Sequence, residues 1–383
     1  MARKVFLHVG LPKTGTTYLQ TVMWGNRDRL RAEGVLLPGT TRSDHWWSSL
    51  IVREDKRIHN KAASALNAWD RVLADCARWD RTAVVSHEFF SSASAEQAKR
   101  AVAALAPAEV HVVVTAREPL SLLTASWQEA LKFKGTVALA DYNLRMSDNP
   151  RSIWNWRALD AGEVLSRWGP AVPKERVHVM PLPKPGSPPE LLWQRFAGLI
   201  GVDPDGYDLS HSNPNTSMGV VEAEVLRRVT PHLTEIKSGL DRSTWVRTYL
   251  AAERLVPRGG EKFWPNEGRI AECRERGRAM VAMIRENGFD VIGELETLLV
   301  PDDLPPRRTP ESVTDAEVAA VATELVAVLL QDLRRQSRQR PAKVRGGKAA
   351  VAPAGSGFSW ARRTVRRSAL LTRVYRKVRR ISR

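Results

Sequence analysis

The stretch HVGLPKTGTTYL, residues 8–19, contains the residue types of this sequence best suited to binding a phosphate. Gly10 and Gly15 have the G-x-x-x-x-G spacing of a phosphate-binding loop, in which backbone N–H groups surround the anion. In a nucleoside-triphosphatase loop a lysine follows the second glycine. Here Thr16 takes that position, and the lysine, Lys13, lies inside the loop. The spacing therefore predicts a phosphate-binding loop whose lysine has moved.

The position of the lysine indicates which chemistry the loop could support. The backbone N–H groups of Thr14, Gly15, Thr16 and Thr17 lie at a predicted helix N-terminus and can surround an anion there. Lys13, on the rim, would neutralise charge on the oxygen beyond that anion as a bond breaks. This suits a donor whose leaving group is the bound phosphate and whose transferred group lies outside it.

The elements around the loop predict an α/β fold with a parallel sheet. Residues 4–10 form an apolar run before the loop and 17–32 have helical periodicity, which is the context that a phosphate loop requires. Further apolar strands are predicted over 82–88, 109–117 and 176–182, alternating with helices. Helices are predicted over 62–79, 94–105, after Pro119 and over 191–200, with a last amphipathic helix over 313–333.

Two segments together carry a family resemblance. LPKTGTTYLQ resembles the 5′-phosphosulfate loop of sulfotransferases that use 3′-phosphoadenosine 5′-phosphosulfate (PAPS). VVVTAREPLSLLTASWQEALK is similar to the strand and helix that bind the 3′-phosphate of this donor in the same family. VVSHEFF, VLSRWG, ERVHVMPLP and NTSMGVVEAEVLRRV extend the likeness to bacterial members over residues 4–229. The resemblance implies a P-loop-like three-layer fold and transfer of a sulfuryl group from PAPS to a hydroxyl or amine.

The resemblance also assigns roles to residues. It implies that residues 14–17 hold the 5′-phosphate, that Lys13 stabilises the leaving oxygen and that Arg117 holds the 3′-phosphate. Many family members have a serine eight residues after the arginine, but this chain has Ala125 there and Ser126 one position later. Ser126 is therefore the candidate second ligand. No metal is expected, because the lysine supplies the positive charge that Mg²⁺ would otherwise supply.

A proton acceptor is predicted at the end of the strand over 82–88. Glu88 ends this run, and strand C-termini line the ligand crevice of open α/β sheets. A carboxylate there could take the proton of the acceptor group, and His87, with an unperturbed pKa of ~6.5, is the alternative base. Successive strand residues face opposite sides, so only one of the two should face the site, and we favour Glu88. His45 is a third candidate.

Charge and composition divide the chain into a body and a tail. Of the 383 residues, 333–383 contain 17 Lys and Arg and no Asp or Glu, so the whole excess charge of +17 lies there. We predict a domain over 1–333, a flexible basic linker over 334–357 and a basic amphipathic helix over 358–383 that contacts an anionic membrane surface. The neutral body argues against a specific nucleic-acid partner. Because no signal peptide, spanning segment or cysteine framework is present, we expect a cytoplasmic protein, peripheral on the inner face of the membrane.

The acceptor cannot be named from the sequence beyond a carbohydrate, a glycolipid or a small metabolite. Two other functions remain open. A P-loop nucleoside or sugar kinase fits the fold but not the threonine at the lysine position. A noncatalytic membrane-associated scaffold with a decayed donor site is the other, and Ala125 is the feature that favours it.

Overall fold

The computed structural model describes residues 1–338 except positions 134, 143, 148, 150, 151 and 211–216. The basic segment over 358–383 and most of the predicted linker lie outside the described residues. The described part separates into two units. The first comprises Met1–Ala130, Val137–Ser217 and Trp264–Thr309, and the second comprises Leu131–Thr136, Met218–Phe263 and the described residues from Pro310.

A parallel sheet lies at the centre of the first unit. Its strands are β1 (Lys4–His8), β2 (Val35–Leu36), β3 (Thr82–Ser86), β4 (Glu109–Ala116), β5 (Val177–Pro181) and β6 (Asp290–Val291). They are arranged in the order β2-β3-β1-β4-β5-β6, and every neighbouring pair is parallel. The predicted α/β class with a central parallel sheet is confirmed.

Helices occupy most of the remaining described chain. The first part contains α1 (Thr16–Gly25), α2 (Arg27–Ala32), α3 (Arg42–Val52), α4 (Ala68–Arg78), α5 (Ala95–Ala103) and α6 (Pro119–Lys132). Further along are α7 (Trp156–Leu159), α8 (Ala161–Trp168), α9 (Leu191–Ile200) and α12 (Glu267–Asn287). The second unit contains α10 (Val220–Val229), α11 (Gly239–Asp241), the π-helix Arg242–Leu255 and α13 (Asp315–Arg338).

Helices cover both faces of the sheet because successive strand residues point to opposite sides. Val5 and Leu7 of β1 belong to an apolar cluster with α4, α5, α8 and α12. Phe6 belongs to a second cluster with α1, α2 and α9. Each fully buried aliphatic or aromatic side chain contributes roughly 1.5–3 kcal/mol to folding. The result is the predicted three-layer arrangement of helix, sheet and helix.

Several predicted elements end earlier than periodicity indicated, and two of them show a local cause. The helix predicted over 17–32 is divided at Asn26, whose side-chain amide donates to the Val22 carbonyl at 2.8 Å and so caps α1. The strand predicted over 82–88 ends at Ser86, because His87 begins the 3₁₀ turn Glu88–Ser92. This second difference changes the geometry of the candidate bases.

The second unit is built around α10 and α13. The amphipathic helix predicted over 313–333 is present as α13, which continues to Arg338, five residues beyond the predicted boundary of the domain. Its buried Asp332 accepts hydrogen bonds from the Tyr249 hydroxyl at 2.8 Å and from Arg254 Nη2 at 2.6 Å. Over the residues that the structure covers, no helix combines the length and the apolar character needed to cross a membrane.

Two buried histidines connect the sheet to its surroundings. His45 Nε2 donates to the Pro38 carbonyl at 2.8 Å, and its Nδ1 accepts from the Ser86 N–H at 3.2 Å. His8 lies between the Ser86 hydroxyl at 2.8 Å and the Thr115 hydroxyl at 3.1 Å. Both are fully buried, and burial lowers the pKa of each ring to about 4. Both ring nitrogens of His45 are therefore hydrogen-bonded within the protein. This arrangement suits a packing residue better than the catalytic base that the sequence left open.

These histidines should make the fold sensitive to acid. Between pH ~6.5 and pH ~4 the unfolded chain binds protons that the folded chain does not, so the free energy of unfolding should fall as the pH falls through this window. His45→Gln keeps hydrogen-bonding atoms but cannot titrate. In urea denaturation at pH 7 and pH 5, it should lose less stability on acidification than the wild type does. The exposed His59 is the matched position, and His59→Gln should leave the wild-type pH dependence in place. Equal pH dependence in all three proteins would contradict the prediction.

Candidate functional site

The loop between β1 and α1 has the conformation of a tight, glycine-dependent turn. Gly10, Lys13 and Gly15 have φ angles of +48°, +68° and +79°. A Cβ on Gly10 would lie 2.4 Å from Thr16 Cγ2 and 3.5 Å from the Cα of Glu88. A Cβ on Gly15 would lie 2.5 Å from a methyl group of Leu192. The positive φ favours glycine at both positions, and at Gly10 there is also no room for a side chain.

Thr14 holds the loop in shape. Its buried hydroxyl donates to the Leu11 carbonyl at 2.6 Å and accepts from the Leu11 N–H at 3.2 Å. It also lies 2.7 Å from the hydroxyl of Thr115. Because the single proton of Thr14 goes to Leu11, Thr115 is the donor in that contact. The Thr14 hydroxyl is thus used within the protein, and the backbone is what the loop offers to a ligand.

The direction of these hydrogen bonds also determines which ring nitrogen of His8 carries the proton. Since the Thr115 hydroxyl donates to Thr14, its oxygen accepts a hydrogen bond from His8 Nε2–H at 3.1 Å. The neutral His8 ring then has a free lone pair on Nδ1, which accepts from the Ser86 hydroxyl at 2.8 Å. Ser86 Oγ in turn accepts from Gln20 Nε2 at 3.3 Å. A single chain of hydrogen bonds therefore links α1, β3, β1 and β4 to the loop.

Helix α1 begins directly after the loop. Gly15 is its N-cap residue and supplies no side-chain hydrogen bond. The first N–H groups of an α-helix have no acceptor within the helix, so those of Thr16 and Thr17 remain for an anion. Thr17 is exposed at this end of the helix, whereas Thr16 is buried. The predicted strand, loop and helix context of the phosphate loop is present.

Lys13 is held by helix α6. Its ammonium group forms an ion pair with the carboxylate of Glu129, a side chain that is 5% exposed. The Lys13 nitrogen also lies 6.0 Å from the ring centre of Trp154. The sequence indicated neither partner as a contact of this lysine. Lys13 itself is 29% exposed, so the ion pair lies at the edge of the loop and not deep below it.

Arg117 follows the end of β4, next to the loop in the sheet order. It is partly buried, and desolvation lowers the pKa of its guanidinium although Glu118 opposes this effect. Over the described part of the chain, no residue accepts a hydrogen bond from the Arg117 side chain or forms an ion pair with it. Glu118 instead caps α6, accepting from the N–H groups of Leu120 and Ser121 at 2.7 and 2.8 Å. Arg117 is thus a partly desolvated cation that suits an anionic ligand.

Ser126, the candidate second ligand, has its hydroxyl bonded within α6. It is completely buried in α6, and its hydroxyl donates to the Leu123 carbonyl at 2.8 Å. Each step along an α-helix turns the side chain by about 100°, so a serine one position later than Ala125 points in a different direction. In this arrangement the Ser126 hydroxyl donates within the protein, and its role as a second ligand stays a prediction.

The structure separates the roles open to the two candidate bases. His87 N–H donates to the His8 carbonyl at 3.1 Å, which brings this turn against the loop. His87 Nδ1 accepts from the Phe89 N–H at 3.1 Å, and burial lowers the pKa of the ring to about 4. A neutral ring whose Nδ1 is an acceptor carries its proton on Nε2. In this tautomer His87 presents Nε2–H as a hydrogen-bond donor, and the choice between His87 and Glu88 as the base stays a prediction.

Glu88 has the opposite character. Burial disfavours its charge, but His87, Arg42 and a hydrogen bond from Gln20 hold the pKa of its carboxyl below its usual value. Gln20 Nε2 donates to Glu88 Oε2 at 3.2 Å. The carboxylate is therefore ionised at neutral pH and can accept a proton. The expected alternation between His87 and Glu88 does not apply, because β3 ends before both residues.

Parallel pairing brings the candidate residues to one edge of the sheet. β3, β1 and β4 are adjacent, with His8 opposite Ser86 on one side and Val113 on the other. The turn with Glu88, the loop with Lys13 and the strand end with Arg117 therefore lie side by side. Among the residues that the structure covers, no cluster of three or more His, Cys, Asp or Glu side chains could hold a metal ion. The expectation of metal-free chemistry stays a prediction.

Gly10→Ala should damage the loop. The new methyl group would meet Thr16 in a backbone conformation that is strained for alanine, so we expect about 1–3 kcal/mol of destabilisation and weaker binding of adenosine 3′,5′-bisphosphate. Gly186 provides the matched control, because its φ is +91° and nothing lies within 4 Å of an added Cβ. Thermal denaturation and calorimetric titration would compare the two. Equal losses in Gly10→Ala and Gly186→Ala would mean that contact with Thr16 is unimportant.

Comparisons with known proteins give few matches. No protein-family model matches the chain, and a search of curated proteins finds no relative. Among solved structures, the chain is similar to a sulfotransferase from Alicyclobacillus acidocaldarius, with 15% identity and a TM-score of 0.38 over 66% of this chain and 100% of that one. It is also similar to the sulfotransferase domain of the Synechococcus PCC 7002 olefin synthase, with 13% identity and a TM-score of 0.30 over 65% of this chain and 94% of that one. Likenesses this distant assign no role to any residue.

Proposed function

We propose that this protein transfers a sulfuryl group from PAPS to a hydroxyl or amine of an acceptor. One observation carries the proposal: a phosphate-type loop with its lysine inside it lies beside Arg117, a partly buried cation whose side chain forms no hydrogen bond or ion pair with a described residue. A donor with two separate phosphate groups matches these two features. The loop and the start of α1 would hold the 5′-phosphate. Arg117 would hold the 3′-phosphate, with which a guanidinium can form two parallel hydrogen bonds.

The roles of the side chains follow from their charge and protonation. The donor supplies an activated sulfuryl group, whose bond to the 5′-phosphate oxygen breaks as the acceptor oxygen or nitrogen forms its bond to sulfur. Lys13 neutralises the charge that develops on the leaving phosphate oxygen. Glu88 takes the proton that the acceptor group loses. His87, with its proton on Nε2, donates a hydrogen bond and leaves the base function to Glu88.

The acceptor and the location of the enzyme are the broader part of the proposal. A carbohydrate, a glycolipid or a small metabolite would serve as the acceptor. The basic tail would bring a cytoplasmic enzyme to the anionic inner face of the membrane, where a lipid-linked acceptor would be within reach. The tail lies outside the described residues, so its charge and periodicity alone support this step.

Lys13→Ala is the direct test of the reaction. Full-length protein is incubated with PAPS labelled in its sulfuryl group and a lysate of the source organism, and the labelled products are separated by chromatography. Wild type should label an acceptor, and Lys13→Ala should lower kcat more than about tenfold, equivalent to ~1.4 kcal/mol of transition-state stabilisation, because the leaving oxygen loses its counter-charge. Binding of adenosine 3′,5′-bisphosphate should be largely retained.

The controls for this experiment separate the alternatives. Lys99→Ala removes an exposed lysine of α5 and should label as wild type does. Transfer of phosphate from ATP with Mg²⁺, without any transfer of sulfate, would contradict the proposal and indicate a kinase. Absence of both transfers, together with failure to bind the bisphosphate, would favour the noncatalytic scaffold. A loss of less than tenfold in Lys13→Ala would remove Lys13 from the chemistry.

Arg117→Ala should weaken binding of the 3′-phosphate specifically. Because the guanidinium would contact only that phosphate, the affinity for adenosine 3′,5′-bisphosphate should fall by at least about tenfold, within the 1.5–3 kcal/mol range of a charged hydrogen bond. The affinity for adenosine 5′-phosphate should change little. Arg100→Ala, an exposed arginine of α5 paired with Glu54, is the control. Equal weakening of both nucleotides in Arg117→Ala would make Arg117 a structural residue.

A further inference from the structure

Gln20 has a defined orientation in the buried region beside the candidate base. It lies on α1 and is 1% exposed. Its side-chain oxygen accepts from Arg42 Nη2 at 2.7 Å and from Arg42 Nε at 3.2 Å. Its nitrogen donates to Glu88 Oε2 at 3.2 Å and to the Ser86 carbonyl at 3.1 Å. A guanidinium can only donate, and a carboxylate and a carbonyl can only accept, so the partners settle which end of the amide is which.

We propose that Gln20, held by Arg42, is a positioning residue that orients the Glu88 carboxylate for its role as proton acceptor. The inference rests on the proposed function for its catalytic meaning. The amide occupies one carboxylate oxygen, Oε2, while the other, Oε1, accepts no side-chain hydrogen bond from any residue that the structure describes. The carboxylate also accepts a hydrogen bond from its own backbone N–H. Gln20 therefore restrains one oxygen, while the other has no side-chain partner among the described residues and can receive the proton of the acceptor group.

Arg42 strengthens this contact through the amide. Its positive charge on the oxygen side polarises Gln20 and makes the N–H groups on the other side better donors to a carboxylate. The ionisable groups that act on Glu88 are Arg42 from α3, His87 from its own turn and His8 from β1. The two histidines are neutral near pH 7 because burial lowers the pKa of each to about 4. Arg42 is therefore the fixed charge among them.

Without the contact from Gln20 and the charge of Arg42, the Glu88 carboxyl should be less acidic and its orientation less well fixed. Removing the donor, or the charge behind it, removes an interaction that favours the ionised form, so the pKa of Glu88 should rise. Orientation is a separate effect, because a carboxylate free to rotate meets the acceptor group in fewer productive arrangements. The first effect can be measured without any reaction, and the second needs turnover.

Two substitutions test the proposal in the full-length chain. Gln20→Glu keeps the shape of the side chain but replaces the donor by a like charge. Arg42→Gln keeps a hydrogen bond to Gln20 but removes the positive charge, and it serves where Gln20→Glu fails to fold. Arg78→Gln is the control, because Arg78 is an exposed α4 residue paired locally with Asp75. Carbon-13 NMR of glutamate-labelled protein, with Glu88 assigned by the Glu88→Gln variant, gives the pKa directly.

Both Gln20→Glu and Arg42→Gln should raise the Glu88 pKa by about half a pH unit or more, the size expected for one hydrogen bond to the carboxylate, and Arg78→Gln should not. The acid limb of the pH–rate profile should move to higher pH. The kcat should fall about tenfold with little change in the KM for PAPS. An unchanged Glu88 pKa in both variants would overturn the inference even in a fully active enzyme. A raised Glu88 pKa in both variants, together with a wild type that transfers no sulfate, would support the positioning of Glu88 and contradict only the proposed function.

Discussion

A neutral, fully buried imidazole joins the strands on which the candidate site is built. His8 reaches Ser86 of β3 with one ring nitrogen and Thr115 of β4 with the other, so it spans both neighbours of β1. Each contact has a fixed direction, because the proton of Thr115 is already used on Thr14. A second proton on the ring would reverse the contact with Ser86, and burial keeps that proton off by lowering the pKa to about 4. The shape of the loop therefore depends on strand pairing below it and not on its glycines alone.

The two cations of the site differ in what an incoming ligand would offer them. Arg117 is partly desolvated, and it has no hydrogen bond or ion pair with a described residue that would compensate for the lost hydration. A phosphate bound there would recover that energy, which makes Arg117 suited to affinity. Lys13 already has the nearly buried carboxylate of Glu129 as a partner. A negatively charged donor would have to compete with Glu129 for the ammonium group of Lys13 or share it. Lys13 would therefore add little to donor affinity and would act mainly on the negative charge that develops during the reaction.

Local features of the site were predictable from the sequence, and contacts between distant segments were not. The phosphate loop could be found because strand, glycine spacing and helix lie within 25 residues of one another. The choice between His87 and Glu88 depends on the Phe89 N–H, which became visible only once β3 was seen to end at Ser86. Gln20 was missed because a glutamine on the first helix carries no signal of its own. Its meaning comes from Arg42 and Glu88, which lie 22 and 68 residues away in the chain.

Backbone contact, more than side-chain reach, sets the distance between the loop and the candidate base. The turn that carries Glu88 lies so close to Gly10 that a single methyl group there would touch the Glu88 Cα at 3.5 Å, and the His87 N–H bonds the carbonyl that ends β1. Catalytic groups have to be held within about 0.5 Å of their productive positions, which is difficult for a long side chain on a separate loop. Here the carboxylate has only its own two side-chain methylene groups beyond that contact, and Gln20 restrains its end. In the proposed reaction, the loop that holds the leaving phosphate also sets the position of the base. A shift of this loop would therefore move the bound donor and the base together.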